Sequence, residues 1–536
     1  MKPTKRFIFG KFVPDNDVIT VDQAHDICRE SEISRDRLQD YPFDKVRRVM
    51  RRLSEAWSDP EYKYRLEAQE RLPQESGYSP EMIQKGLSVM AGLLDPDFLQ
   101  KKVETELRRI PIIEGYQFDR QTNTAKQWQP LGVVLHVLAG NVFTGGVGSW
   151  IEGALTRNVT ILKMSSSERV FMPLFLSSLL ECDPDRVLSG ATALIDYRSS
   201  QTEVMDVFKQ SMDGIVVWGG EQAVRAYRDN LPARTKLIVF GPKLSLSVVT
   251  EGAQSENGIE PIAKGLAQEL SIWDQNACTA PQICYVQGKK AAYKLAETMS
   301  KHMKKMEQEI PSGEIDLNAA VEIRKLRTLY EVNQLEGKGG YWSSGEDLKW
   351  SIFVDESVDL NPSPLHRTIR IIPFQSIEDV VDQVRLYRGY VQTVGLECAV
   401  DERLSVSRSL AKFGVIRMVS LGQMAGGEID DPHDGAYDLP QFLNLVLIRS
   451  NQKVHRDVEP IDRLNEAERL PVLDSYFRNL VDVARRSSYY SKLISSAETK
   501  LKRAIDTLDD IKCLPVLSRA LMEEHMPPYG SGLKTM

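Results

Sequence analysis

The sequence has little of what builds stapled or metal-held folds. Six cysteines stand among 536 residues: Cys28, Cys182, Cys278, Cys284, Cys398 and Cys513. None forms a CxxC pair, and the nearest two are six apart. This argues against a disulfide scaffold or a structural zinc site and favours free thiols in a reducing compartment. A basic excess is also missing. Lys and Arg number 68 against 75 Asp and Glu, a net charge of −7, which argues against nucleic acid as a partner. Glycine (34) and proline (26) are ordinary in number and scattered, so neither collagen nor disorder is the dominant class. The N-terminal MKPTKRFIFGKFVPDND has basic residues but no long apolar core, so no secretory signal is read there and a cytoplasmic protein is expected.

Only one run lacks charge for long enough to imitate a membrane span. Leu131 to Ile151 contains no Lys, Arg, Asp or Glu over 21 residues. It also holds five glycines, His136 and Asn141. A buried strand running through a glycine-rich loop into a helix explains it better, and no membrane span is expected.

What is present is a large apolar fraction, 42%, beside 27% charged residues, enough for several packed cores. Residues 1–125 are charged and helix-rich. From 131 onward short β-branched runs alternate with amphipathic stretches. Strands are predicted at Val133–Leu138, Val159–Lys163, Ala193–Asp196, Gly214–Trp218, Lys236–Phe240, Ser245–Val249 and Ile283–Val286. Helices are predicted at Glu221–Leu231, Ile259–Ile272, Lys289–Ile310 and Leu317–Leu335. A second block has strands near Ser351–Val354, Thr368–Phe374, Tyr390–Cys398 and Val415–Ser420, with helices starting near Ile377 and Glu402. This alternation predicts βαβ units and two parallel α/β sheets. Beyond about residue 455 only helices are expected, at Asn465–Arg486 and Tyr490–Thr507, with a cap signal at Asp506–Asp510.

Several segments carry chemistry. In Asp274-Gln275-Asn276-Ala277-Cys278-Thr279-Ala280-Pro281 a lone cysteine occupies a small-residue turn between helix and strand. A thiolate is the strongest common protein nucleophile, and such a turn can aim backbone N–H groups at its substrate. A buried structural cysteine is the competing reading. Asn141, in Leu138–Phe143 after a strand, can offer its amide to a developing oxyanion or satisfy its own turn. Lys163, ending a strand before Ser165, Ser166 and Ser167, suits a ribose and its phosphates; Ser165 with Glu168 equally fits a capping box. Gly219 and Gly220 join a strand to a helix start, where a pyrophosphate can approach, although GxGxxG is absent. Phe240-Gly241-Pro242-Lys243-Leu244-Ser245 precedes Cys278 by about 35 residues. His433 lies in a Pro-His-Asp-Gly turn, as a proton carrier or as a packing histidine.

Taken in order, these segments resemble the aldehyde dehydrogenase superfamily. Leu138–Phe143 resembles its Asn-bearing strand end, and Ile161–Ser166 its strand-Lys-Pro-Ser-Glu ribose motif. Trp218-Gly219-Gly220 is similar to its glycine turn, Phe240–Lys243 to its Glu-Leu-Gly-Gly-Lys motif and Gln275–Cys278 to its Gly-Gln-x-Cys motif. Details in 219–221, 240–245, 274–281 and 432–435 resemble the Lux-type long-chain fatty-acyl-CoA reductase family over about residues 100–450. The resemblance implies an aldehyde dehydrogenase-like α/β fold, with a Rossmann-type cofactor domain, an α/β catalytic domain and a helical C-terminal extension. It implies a helix-rich part at 1–125 packing on the cofactor domain, cofactor binding at 126–255, a catalytic domain with Cys278 at 256–430, a return segment at 431–460 and an extension at 461–536. It further implies NADPH-dependent reduction of an acyl-CoA or acyl adenylate to the aldehyde through an acyl-cysteine. In this scheme Cys278, Asn141 and His433 are catalytic, and Lys163, Ser166, Gly219 and Gly220 hold the cofactor. No metal is implied, and self-association is.

Two departures sharpen the resemblance. Val239 stands where aldehyde dehydrogenases carry the Glu that activates hydrolytic water, which favours thiol chemistry over release of a free acid. Ser166 replaces the acid that holds the ribose diol in NAD-preferring members, which removes repulsion against a 2′-phosphate. The second, cofactor-orienting Glu has no match; the alignment falls on Ser363. Separately, Tyr476–Tyr490 and Leu508–Leu521 resemble the helical lead-in of acyl-protein synthetase and phenylacetate-CoA ligase. That implies a truncated fusion or a docking piece for an acyl-activating partner, against two ordinary surface helices. The alternatives are an NAD-dependent aldehyde dehydrogenase and a non-catalytic scaffold that recruits such a partner.

Overall fold

The computed structural model describes residues 6–516 apart from 15–18, 109, 120–121, 257, 358 and 450–464. The last part of the expected return segment, the first residues of the extension and all of 517–536, including Gly530–Met536, lie outside the described residues. The chain divides into two units, residues 1–39, 49–106 and 130–442 in one and 40–48, 107–129 and 443–536 in the other.

The larger unit holds two seven-stranded sheets. The first runs in the order Lys11–Val13, Arg6–Ile8, Thr192–Ile195, Val159–Lys163, Val133–Val137, Gly214–Trp218, Lys236–Phe240. Its last five strands are mutually parallel. VVLHV and TALI are buried along their whole length, as strands of a parallel sheet covered on both faces must be. Numbered along the chain from Val133, those five strands stand in the order 3-2-1-4-5. This is the dinucleotide-fold order, and it reverses between Val133–Val137 and Gly214–Trp218, the kind of switch point at which open α/β sheets bind ligands. The charge-free stretch resolves into the Val133–Val137 strand, a loop and the Gly145–Leu155 helix. No helix among the described residues is long and apolar enough to cross a membrane.

The second sheet runs Gly339–Ser343, Ser351–Asp355, Thr368–Phe374, Pro281–Gln287, Leu244–Val249, Val391–Glu397, Arg417–Val419. All neighbours pair parallel except the first two. Its core packs Leu246, Val248, Ile283, Tyr285, Ile372 and Val394 against the Ile377–Leu386 helix.

The smaller unit carries a three-stranded sheet of Leu443–Arg449, Thr124–Pro130 and Gln117–Asp119. Its helices Glu466–Ala484 and Ser488–Leu501 pack through Phe477, Val481, Ile494, Ala497 and Ile505. Asn465 caps the first of them in a capping box with Glu468. Thr507 and Asp510 form a second box on the 3-10 turn Leu508–Cys513.

The structure differs from the sequence reading in four places. The expected helix Tyr490–Thr507 ends at Leu501, because Lys502 turns left-handed at φ 55°. The second sheet begins at Leu244, ahead of the expected boundary at 255. The helix-rich 1–125 part also contains the Arg6–Ile8/Lys11–Val13 hairpin and the strands from 117 onward. Finally, Leu443–Arg449 within the return segment pairs as a strand. Three-residue strands and the polar TAKQWQP carry no readable two-residue alternation.

Candidate active site

The Cys278 loop leaves the 3-10 turn Ile272–Gln275 and enters the Pro281–Gln287 strand. Ser245, at the start of the adjacent Leu244–Val249 strand, donates its hydroxyl to the Cys278 carbonyl at 2.7 Å. Cys278 is exposed, whereas Cys28, Cys182, Cys284 and Cys398 are buried. Its thiol pKa is nevertheless raised. The two observations agree for a sulfur that solvent reaches while protein fills most of the surrounding space. Burial and then the Asp434 charge raise the pKa, against the backbone N–H groups of Cys278 and Thr279 and the Gln392 amide, which favour the thiolate.

Asn141 is brought to this loop. Its Nδ2 donates to the Asn276 carbonyl at 2.8 Å, two residues before the cysteine, and a primary amide keeps a second N–H for another acceptor. Tyr78, which sequence reasoning missed, ties the two segments together. Its hydroxyl donates to the Asn141 carbonyl at 2.6 Å and lies 3.3 Å from that of Trp273. Nothing in the sequence distinguishes Tyr78 from the protein's other tyrosines.

Lys163 ends its strand with Nζ 5.1 Å from the Tyr197 ring centre and 3.3 Å from the Met164 carbonyl. Burial lowers its pKa, against the pull of Asp196. Ser166 is exposed. The Lys163 and Asn141 strand ends touch closely, since a Cβ on Gly140 would collide with the Ser165 and Ser167 hydroxyls. The expected Ser165/Glu168 capping box does not form, because the helix starts only at Phe171. Instead the Phe171 N–H donates to Glu168 at 2.6 Å.

Burial, with Glu75 adding its charge, pushes the Glu168 carboxyl up to about 7 from an ordinary 4.5. A carboxyl raised in this way binds its proton more tightly folded than unfolded. Its contribution is therefore full below 4.5 and is lost as pH rises through 7, a loss of roughly 3 kcal/mol. Glu168→Gln is expected to flatten the fall of Tm over that window. Parallel Tm–pH curves for the two proteins would refute the assignment.

Gly219 and Gly220 follow the Gly214–Trp218 strand at the point where the first sheet reverses, and Gly220 is the N-cap of the Glu221–Arg228 helix. No side chain caps that helix, and a Cβ added at Gly220 would meet nothing within 4 Å. Open space before uncapped helix N–H groups fits a dinucleotide pyrophosphate. A cavity of about 470 Å³ beside this helix is lined by Arg225, Arg228, Val239 and Lys243 among others.

The His433 ring stacks on Phe240 at 4.3 Å and lies 5.1 Å from Trp218. Its Nδ1 is 3.3 Å from Asp438. Among the described residues no hydrogen bond or ion pair joins it to Cys278. Both nonetheless border one region: a cavity of about 270 Å³ is lined by Thr279, Gln392 and His433, with Leu93, Phe98, Leu99 and Ile151 as apolar wall. Ser363, which stands in the place of the second cofactor-orienting Glu, donates to the Thr368 carbonyl beside the Cys278 loop.

The family model described as acyl-CoA reductase (LuxC) matches residues 38–445. The chain is 25% identical over 436 residues to the long-chain acyl-protein thioester reductase of Vibrio harveyi, covering 80% of this chain and 87% of that protein. It is 27% identical over 403 residues to the enzyme of that name from Aliivibrio fischeri, covering 74% and 80%. Among solved structures it is similar to an oxidoreductase from Marinobacter aquaeolei, with a TM-score of 0.65 and 12% identity over 83% of this chain and 98% of that one. It is also similar to the NADP-dependent glyceraldehyde-3-phosphate dehydrogenase of Bacillus halodurans complexed with NADP, with a TM-score of 0.64 and 11% identity over 84% and 100%. The fold is that of aldehyde dehydrogenases.

Proposed function

The chain belongs to the acyl-CoA reductase (LuxC) family, and from that membership we propose that it reduces a long-chain fatty acyl thioester or acyl adenylate to the aldehyde with NADPH, through an acyl-Cys278 intermediate. The observation that carries this reading is the extent of the family match. Residues 38–445 include Asn141, Lys163, Ser166, Gly219, Gly220, Cys278 and His433.

In this mechanism the Cys278 sulfur attacks the acyl carbonyl. The free N–H of the Asn141 amide and the Cys278 backbone N–H receive the oxyanion; one such donor is typically worth roughly 3 kcal/mol. The leaving group departs and the acyl group stays on the sulfur. NADPH, when bound, supplies the hydride. Lys163 and Ser166 would hold its ribose, and Gly219 with Gly220 would admit its pyrophosphate. Val239 offers no base to a water, so the acyl-enzyme is protected from hydrolysis. His433 carries the proton. The names of the relatives support an acyl donor borne on a protein, and the 461–536 extension is proposed as the docking piece for an acyl-activating, synthetase-like partner. The family match ends before that extension.

The deciding assay follows NADPH oxidation across acyl-CoA chain lengths, with and without an acyl-activating enzyme. Aldehyde formed in proportion to NADPH consumed is expected. Oxidation of aldehyde to free acid with NAD, and no reduction of any acyl donor, would favour the aldehyde dehydrogenase alternative. Ser166→Glu tests the cofactor reading by restoring a carboxylate beside the 2′-phosphate. KM for NADPH is expected to rise about tenfold, equivalent to roughly 1.4 kcal/mol, with little change for NADH. Equal effects on both cofactors would remove Ser166 from the ribose site.

A further inference from the structure

We propose that Glu152, Asp438 and His433 form a proton relay serving the sulfur of Cys278, with Lys102 as the counter-charge that keeps Asp438 an anion. The inference rests on the acyl-cysteine reading above and deepens it.

The relay stands on geometry. The 270 Å³ cavity that reaches Thr279, the neighbour of Cys278, is also lined by Glu152, Asp438, Lys102 and His433. Glu152 lies on the Gly145–Leu155 helix, 8% exposed, and its Oε2 accepts no hydrogen bond among the described residues. Asp438 stands 3.3 Å from His433 Nδ1 and 3.3 Å from Lys102 Nζ. Lys102 in turn lies 2.5 Å from Glu106, which accepts the Leu439 N–H at 2.7 Å. The aromatic stack on Phe240 and Trp218 fixes the imidazole plane. Asp434, next to His433 in the same turn, accepts from the Gln392 amide at 2.7 Å, and Gln392 and His433 line the cavity together with Thr279.

Three carboxyl groups share one lysine here, and a buried carboxyl without its own cation keeps its proton. Burial, with the Asp438 charge adding to it, raises Glu152 well above the usual carboxylate range. Burial acts on Asp438 in the same direction, but His433 and Lys102 outweigh it and hold Asp438 low. In the proposed relay Glu152 supplies the proton, Asp438 the anion and His433 the imidazole. The other charges facing the cavity are Arg417 with Asp431, paired at 2.8 Å, and Glu428. Asp434 pairs with Lys243 at 3.6 Å.

Reduction of a thioester to aldehyde and thiol consumes one hydride and one proton. Cys278 gives up its thiol proton to His433 as it attacks, and His433 passes it to the departing thiolate. Hydride addition leaves an oxyanion, whose collapse to aldehyde breaks the carbon–sulfur bond and releases Cys278 as thiolate. That sulfur takes the consumed proton from His433, which is recharged through Asp438 from Glu152 and, finally, from solvent. Glu152 and Asp438 act through His433 and are positioning residues.

The test compares wild type with Glu152→Gln, using tetradecanoyl-CoA and NADPH. Glu152→Gln is expected to keep acyl-Cys278 labelling and KM, to lower kcat about tenfold, to lose the alkaline fall of kcat and to change the solvent deuterium isotope effect. Glu152→Asp, which still titrates, is expected to keep a displaced alkaline limb, and it carries the test if the Gln variant fails to fold. An unchanged pH profile and isotope effect in Glu152→Gln overturns the relay. So does an unmoved limb in Glu152→Asp where the Gln variant does not fold. Absence of acyl labelling in wild type instead overturns the acyl-cysteine reading itself.

Discussion

Cys278→Ala is expected to lower aldehyde formation by roughly 10⁴-fold or more and to abolish covalent acyl labelling. Losing the nucleophile removes the whole two-step path, and what survives is only binding and electrostatic assistance. The competing thiols make the experiment clean. Cys28, Cys182, Cys284 and Cys398 are buried, and the only other exposed cysteine among the described residues, Cys513, stands in the smaller unit. Residual label in Cys278→Ala is therefore assignable by mass spectrometry and is removed by adding Cys513→Ala. Cys278→Ser separates roles further. It keeps a small polar side chain for the Cys278 and Thr279 backbone donors but is the weaker nucleophile, so acylation should become rate-limiting and the label should no longer accumulate. Full labelling of Cys278→Ala at wild-type rate would sink the assignment.

What the sequence disclosed and what it hid follow from one distinction. Strand cores such as GIVVW and LIVF are continuous apolar runs, so their positions were readable to within a residue, and Gly219-Gly220 and Cys278 stood out as small or lone residues at strand ends. Family-like spacing then ordered them. The partners that hold these residues come from distant positions with no local pattern. Tyr78 reaches Asn141 across 63 positions, Arg367 reaches Asp274 across 93, and Lys102 reaches Asp438 across 336. Such pairs exist only once segments far apart in the chain have folded together. His433 was readable as a histidine in a turn, but its Asp438 contact was not, because that contact depends on how the 433–438 segment folds back. The N-terminal hairpin was missed for the opposite reason: it is local, but too short to show a period.

Arg367 shows how much the hidden partners matter, and its replacement is the second large effect expected. Three consecutive non-glycine residues ahead of the nucleophile, Trp273, Asp274 and Gln275, have φ of 54°, 46° and 66°. A second such run, Leu365, His366 and Arg367, has φ of 65°, 49° and 55°. Left-handed backbone costs an L-residue about 1–2 kcal/mol, so both runs need outside support, and they support each other. The fully buried Arg367 guanidinium bonds Asp274 at 2.6 Å and the Ile310 carbonyl at 2.9 Å, and it pairs with Glu307 at 3.2 Å. Gln275 exchanges hydrogen bonds with the Thr368 backbone at 2.9 and 3.0 Å. In Arg367→Met, Glu307 keeps Lys349 at 3.3 Å, but Asp274 is left buried with no cation paired to it among the described residues. The expected loss is about 3–5 kcal/mol of stability, read from denaturant unfolding of the intact chain. Arg367→Met with Asp274→Leu removes the stranded charge as well and should recover part of that loss. It should not recover fast acylation, because the turn that presents Cys278 still lacks its brace. Full stability in the single variant would mean that the two left-handed runs hold without their ion pair; full activity in the double would mean that the nucleophile needs no such brace.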